Sequence, residues 1–334
     1  MARLIQPRRL TKLKRYETAT LEITDEIIKE IQSLDFTDLG GGVIVFHNAV
    51  EVDLSEISKW IDKNALAAHQ QRWKYDIDKN GVVYAKNEDG NKFSIEQVEK
   101  VPVRVLEPVQ DHTEEDVVAV FRNWEDCIYK SLIRYVDMFP LVVGTIWWRS
   151  RGHVLRYDSG KYLGLHNDND TNYRATNGER YIPYGQLGAR QTVAVLLYIN
   201  DCVATPEELD GTNYSGGELY FPYLGISHMA KRGDIIIFPT NYVASHGVNT
   251  VTGGTRYAYL EFFSQGSPDP NARIEVSEAE EVSSWCVPHW IDTIYDDYQK
   301  YVSSANPGGS KELVRNLEGK NGFINPLNRV VEDE

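Results

Sequence analysis

Over the first 140 residues apolar side chains recur at three- and four-residue spacing, the period of a helix with one buried face. In 24–35, Ile27, Ile28, Ile31 and Leu34 share such a face, Thr24 is placed to cap it, and acidic residues fill the first turn. Gly40-Gly41-Gly42 breaks the chain, and Val43 to Phe46 predicts a strand. A second helix is expected over 53–67, with Leu54, Ile57, Trp60 and Ile61 as its buried stripe. The stretch 73–105 carries two hairpin-type turn signals, Lys79-Asn80-Gly81 and Asp89-Gly90-Asn91, and predicts an irregular β excursion. A third helix spans about 114–137, with Phe121, Trp124, Ile128, Leu132 and Tyr135 on its stripe and Pro140 at its end.

From 141 onward the pattern shortens. Apolar or alternating runs at Leu141–Trp148, His153–Tyr157, Thr192–Ile199, Glu218–Phe221, Ile235–Phe238 and Arg256–Phe263 are separated by Gly, Asn and Asp turns. Many short strands with such punctuation predict a sandwich or barrel. After Pro268 and Pro270 an acidic stretch, 275–281, leads to a helix near 289–302 striped by Ile291, Ile294, Tyr295, Tyr298 and Tyr301. The expected fold is α+β, mainly β: a double-stranded β-helix core (jelly-roll, cupin-like) with flanking N-terminal helices and a C-terminal helical extension. An N-terminal arm and helix occupy 1–42, the main domain 43–268 with its core at about 140–264, and the extension and a tail 269–334.

Of the 334 residues, 42% are hydrophobic and 25% charged, enough to build a sizeable core. The 35 Lys and Arg against 49 Asp and Glu give a formal net charge of -14, which argues against nucleic acid or an anionic membrane as partner. No apolar run approaches a membrane span. The basic first fifteen residues lack the apolar stretch of a secretory signal. Cys127, Cys202 and Cys286 are far apart, which predicts reduced thiols and a cytoplasmic protein rather than a disulfide framework or structural zinc.

The chemistry gathers late in the chain. On an extended strand His166 and Asp168 point to one side, where an imidazole and a carboxylate converge on one cation. By itself His-x-Asp is a weak signal. His246, just past the apolar run Ile235–Phe238, supplies a third ligand from a distant strand. Two histidines and one carboxylate on one face of an octahedron leave open positions, the arrangement of non-haem Fe(II) oxygenases. Arg256, ten residues further on, is placed at the start of a strand expected beside the one bearing His246. Its permanent charge and forked donors suit the far carboxylate of a 2-oxoacid chelated at that iron.

Together these residues resemble the prolyl 4-hydroxylase branch of the Fe(II)/2-oxoglutarate dioxygenases. The resemblance is close over about 140–264 and loose over Val43–Trp60. It is carried by Tyr157-Asp158-Ser159-Gly160 leading to His166-Asn167-Asp168, by Leu197-Tyr198-Ile199-Asn200, and by Ser215 to Pro222 with its Gly216-Gly217 pair. Arg232-Gly233-Asp234, His246-Gly247-Val248 and Gly254-Thr255-Arg256-Tyr257 follow. It implies iron bound by His166, Asp168 and His246. It also implies 2-oxoglutarate held by Arg256 with a hydrogen bond from Tyr198, and Tyr157 facing the same end of the pocket. O2 is then the oxidant, ascorbate a reductant, succinate and CO2 the co-products, and a peptide or amino-acid-type molecule the substrate.

The chain departs from the resemblance where substrates are chosen. Family members acting on proline-rich peptides carry an arginine where this chain has Gln191, with Arg190 beside it. They carry a tryptophan and a histidine where it has Phe262 and Ser264. Tyr162 stands four rather than three residues before His166. Prolyl residues, free amino acids and secondary metabolites all stay open as substrates. Halogenation, which requires the carboxylate ligand to be replaced, is disfavoured by Asp168. A non-catalytic jelly roll with a decayed site is disfavoured by four intact key residues.

Overall fold

A computed structural model describes residues 21–87, 90–106, 115–146, 148–150, 152–169, 191–265, 288–290 and 294–305. The N-terminal arm, Arg190, Cys286, the acidic stretch 275–281 and the tail lie outside the described residues.

The helical periods form helices. Helix α1 is Asp25–Ser33, capped by the Thr24 hydroxyl, which accepts from the Ile27 amide at 3.3 Å. Helix α2 is Leu54–Arg72, capped by Asp53, and α4 is Glu115–Met138. A short helix α3, Ile95–Lys100, opens on a Ser94/Gln97 capping box. Strands β1 (Phe36–Gly40) and β2 (Val43–Phe46) form a hairpin through the glycine turn. The excursion is a small three-stranded sheet of β3 (Lys74–Ile77), β4 (Val83–Lys86) and β5 (Lys92–Ser94). Strand β6, Val103–Leu106, leaves it for the main sheet.

One expected strand is a helix instead. Residues Pro140–Thr145 form a 3-10 turn, because Pro140 has its φ pre-set for the first helical position and follows directly on α4. Extended structure resumes only at β7 (Trp148–Ser150). Then come β8 (His153–Asp158), β9 (Leu163–His166), β10 (Gln191–Tyr198), β11 (Cys202–Val203), β12 (Tyr214–Gly216), β13 (Leu219–Phe221), β14 (Ile226–His228), β15 (Ile235–Pro239), β16 (His246–Val248) and β17 (Val251–Ser264). Near the C-terminus β18 (Pro288–Trp290) occupies the first residues of the expected helix and pairs with β7, and α5 covers Ile294–Ala305.

Two sheets face each other. The larger runs β1-β2-β15-β10-β17, with β8 and β6 beyond β17; the smaller is β14-β13-β16-β9. This is the jelly-roll arrangement. The alternation along β17 shows how the layers form. Tyr257, Tyr259 and Phe263 pack with Trp124, Ile128 and Leu132 of α4 and with Ile57 and Trp60 of α2. Ala258, Leu260 and Phe262 pack instead with Leu219, Phe221 and Val248 of the smaller sheet. Strand β10 divides the same way, with Val193, Val195 and Leu197 outward and Ala194, Leu196 and Tyr198 inward. A strand buried on both faces reads as a continuous apolar run, as these do. Helix α5 closes the outer layer through Ile294, Tyr298 and Tyr301, and is tied to α4 by Tyr129, whose hydroxyl donates to Asp297 at 2.7 Å.

Candidate metal centre and anion pocket

The two histidines meet across a strand pair. His246 of β16 is the direct partner of His166 on β9, and their ring centroids are 4.5 Å apart. Asp168 lies in the turn beyond β9, not on the strand as the sequence suggested, and the turn swings its carboxylate between the rings. Oδ1 is 3.4 Å from His166 Nε2 and Oδ2 is 3.7 Å from His246 Nε2. One ligand atom from each of the three residues falls within 4.8 Å of the others.

The supporting contacts aim these atoms. His166 Nδ1–H donates to the Gly164 carbonyl at 2.8 Å, and His246 Nδ1–H to that of Ala244 at 3.1 Å. Both Nε2 lone pairs are thereby turned toward Asp168, the outer-contact pattern of metal-binding histidines. Phe238 and Phe221 wall His246 at 4.7 and 5.5 Å between centroids. Burial pushes the His246 pKa down and keeps the ring neutral. Burial also works against the Asp168 carboxylate, but His246 and His166 together hold its pKa below the usual range. For His166 burial is outweighed by the bond and charge of Asp168, and its pKa rises. A neutral imidazole, a carboxylate and a second, partly exposed imidazole fit a divalent cation with open positions.

Arg256 lies in mid-strand on β17, because the strand begins at Val251; Thr252-Gly253-Gly254-Thr255 has no apolar alternation to mark it. It belongs to the larger sheet, opposite the one that carries His246, so it reaches the site from across the sandwich rather than from a neighbouring strand. Its side chain is 0% exposed, and none of its three guanidinium nitrogens has a hydrogen-bond partner among the described residues. Tyr157 is its direct partner on β8, and Tyr198 on β10 faces Ala258, two residues along. The guanidinium carbon sits 4.8 Å from the Tyr157 ring centre and 5.6 Å from that of Tyr198. Both hydroxyls are buried without partners, and burial raises both pKa values, so they remain donors. Among the described residues no carboxylate bonds this guanidinium, and a buried cation ringed by hydroxyls is a pocket shaped for an anion.

Other residues noted in the sequence fall elsewhere. Tyr162 is exposed, with its amide donating to the Lys100 carbonyl at 2.9 Å. Gln191 is buried at the start of β10, and its carbonyl accepts from Thr240. Gly217, with φ of +67°, borders Arg256 without facing the metal site. Sequence reasoning missed Tyr214 and His228, both on short strands. The place of Tyr214 immediately before Ser215-Gly216-Gly217 was the only signal for it.

The fold and this site define a class: a jelly-roll protein with a two-histidine, one-carboxylate centre next to a buried anion pocket. Residues 152–264 match the model of the 2OG-Fe(II) oxygenase superfamily. No curated protein matches the chain. Among solved structures it is similar to the viral collagen prolyl hydroxylase of Paramecium Bursaria Chlorella virus-1, at 19% identity over 50% of this chain and 82% of that one, with a TM-score of 0.35. It is also similar to a Pseudomonas putida prolyl-4-hydroxylase, at 13% identity over 72% and 98% of the two chains, TM-score 0.37. A third likeness is to a Trichoplax adhaerens prolyl hydroxylase in complex with a hypoxia inducible factor peptide fragment, at 13% identity over 76% and 91%, TM-score 0.40. These likenesses are distant, and the assignment rests on the matched segment.

Proposed function

We propose that this oxygenase hydroxylates an unactivated C–H bond of a prolyl residue or another amino-acid substrate, consuming 2-oxoglutarate and O2 and releasing succinate and CO2. The observation that carries the reading is the guanidinium of Arg256, fully buried without a well-formed hydrogen bond among the described residues, on a strand of the sheet that packs against the one bearing His166 and His246. A folded chain tolerates such a group where a ligand completes it.

His166, Asp168 and His246 would hold Fe(II), which when bound supplies open positions for the oxidative decarboxylation of the 2-oxoacid. The protein's part is geometric and electrostatic. Gly164 and Ala244 fix the histidine tautomers. Phe221 and Phe238 keep water from the His246 side. Arg256 pairs with the distal carboxylate of 2-oxoglutarate, and Tyr198 and Tyr157 donate to it. The substrate approaches on the His166 side, the partly exposed member of the triad. Leu165 next to it, and Tyr242 and Val243 just before His246, are exposed apolar side chains suited to a peptide or amino-acid-type substrate. The dioxygenase domain is taken as 43–268, with 269–334 as an extension. A cytoplasmic location belongs to the proposal; among the described residues no helix is long and apolar enough to cross a membrane, and Cys127 and Cys202 are free thiols.

The test is a screen of proline-containing peptides and free amino acids for substrate-stimulated succinate formation with Fe(II). Stimulation by one class identifies the substrate. Absence of any Fe(II)-dependent succinate would leave a non-catalytic jelly roll, and stimulation only by non-amino-acid metabolites would move the substrate class.

A further inference from the structure

The resemblance accounts for two of the hydroxyls beside Arg256 and is silent about a third. Tyr214, on β12, is the direct partner of Gly254 on β17. Arg256 is two residues further along β17, so the two side chains share a face and stand diagonally across adjacent strands, within reach of long side chains. They meet at Gly217. A Cβ built there would lie 3.2 Å from Cε2 of Tyr214 and 3.2 Å from Cδ of Arg256, so the ring edge and the arginine stem flank one point. Tyr214 is 0% exposed, and its hydroxyl lies close to the Arg256 guanidinium and the Cys202 thiol without a hydrogen bond of good geometry to either.

A buried hydroxyl without a well-formed hydrogen bond is worse for the fold than a bare phenyl ring, since it was taken from water and not fully compensated. Packing alone therefore favours Phe at 214. Burial pushes the Tyr214 pKa well up, so the group is a donor at neutral pH, as are Tyr157 and Tyr198. Register places all three around Arg256: Tyr157 directly opposite, Tyr198 and Tyr214 on its two diagonals. A carboxylate offers about four acceptor sites on two oxygens. The arginine fork takes two of them, and the three hydroxyls surround the remaining two.

We propose that Tyr214 is a cosubstrate-binding residue, a further hydroxyl donor to the distal carboxylate, which makes the pocket selective for dicarboxylic over monocarboxylic 2-oxoacids. The inference rests on the reading of Arg256 as the anchor of that carboxylate. It extends the pocket to a strand, β12, that carries none of the metal ligands.

The experiment compares wild type and Tyr214→Phe as Fe(II) proteins without O2, titrated with 2-oxoglutarate and with 2-oxobutyrate, which lacks the distal carboxylate. Binding is followed by the visible charge-transfer band of the chelate. Tyr214→Phe is expected to weaken 2-oxoglutarate by about ten- to one-hundred-fold, the size of one hydrogen bond to a charged group. It should leave 2-oxobutyrate and iron affinity unchanged. The melting temperature of the iron-free protein should be equal or higher. In turnover the loss should appear in KM for 2-oxoglutarate, with kcat retained at saturation. Native-like 2-oxoglutarate affinity in the variant overturns the inference, as does an equal loss for both oxoacids. A lowered melting temperature or failure to fold also overturns it, because the hydroxyl is then structural. If wild type itself binds no 2-oxoglutarate, it is the reading of the whole site that fails.

Discussion

Arg149 and Arg256 are both buried arginines of the larger sheet, and they face opposite ways. Arg149, on β7, points into the helical layer, where Nε donates to Glu261 at 3.0 Å and Nη2 to Glu125 of α4; the Tyr259 hydroxyl donates to the other Glu261 oxygen at 2.8 Å. Arg256, on β17, points into the sandwich and meets, among the described residues, tyrosine hydroxyls and ring faces and no bonded carboxylate. The first cation is completed by the chain and the second is left for something else to complete. Burial and residue type do not separate them. Whether the surrounding carboxylates are supplied internally does, and that difference marks which face builds the fold and which builds the site.

Asp168→Ala should abolish Fe(II)-dependent turnover by removing the anionic ligand of a three-ligand site, and His166→Ala and His246→Ala should do the same. Stability of the iron-free protein should not fall for Asp168→Ala. Near-native succinate release from any of the three at saturating Fe(II) would sink the assignment.

Arg256→Ala should cost roughly 2–5 kcal/mol of 2-oxoglutarate binding, about thirty- to several-thousand-fold in affinity. Arg256→Lys should lose less, since the charge remains and only the fork is lost. Iron affinity should stay near native in both. Titration of the anaerobic Fe(II) protein measures this, and unchanged 2-oxoglutarate affinity in Arg256→Ala would mean another anchor.

Arg149→Met should invert that phenotype. It strands Glu125 and Glu261 in the apolar layer, and breaking a buried ion group of this kind costs roughly 3–5 kcal/mol of stability. The urea midpoint should drop, while the folded fraction binds 2-oxoglutarate normally. Equal losses of stability in Arg149→Met and Arg256→Met would erase the distinction between the faces.

The smallest effect concerns His228, on the pocket side, whose ring lies 5.5 Å from that of Tyr198. Burial pushes its pKa down to about 4, helped by His47 and Arg256 and opposed by Asp234. Between its ordinary value of 6.5 and about 4 the unfolded chain holds a proton that the folded chain does not, so this stability contribution is lost as pH falls through that window. His228→Gln should flatten that part of the slope in urea midpoints taken across the window. An unchanged slope would show that His228 charges freely in the fold.

Much of this was legible in the sequence, and the gaps have physical causes. Helices α1, α2 and α4 announce themselves by period, and the apolar strands β10 and β15 by continuous runs. Leu141–Thr145 is just as apolar, yet it coils, because Pro140 starts a helical turn that periodicity does not register. Strands β9, β12, β14 and β16 are three or four residues long, too short for alternation to stand out, though they carry His166, Tyr214, His228 and His246. The four principal candidate residues were named from chemistry and spacing. Their relation in space was not: Asp168 comes from a turn and Arg256 from the opposite sheet. Which sheet a strand joins depends on long-range pairing that no local pattern encodes.

Strand β17 serves both layers at once, with Arg256 on one side and Glu261 on the other. Such a strand is a reading frame. Adding one residue between them would keep every side chain in the chain and exchange their destinations, sending either Arg256 into the helices or a carboxylate into the sandwich. Changes of chain length should therefore be tolerated only in segments outside β17. Within it, a single-residue insertion should act as a null allele, while conservative replacements at the same positions remain graded.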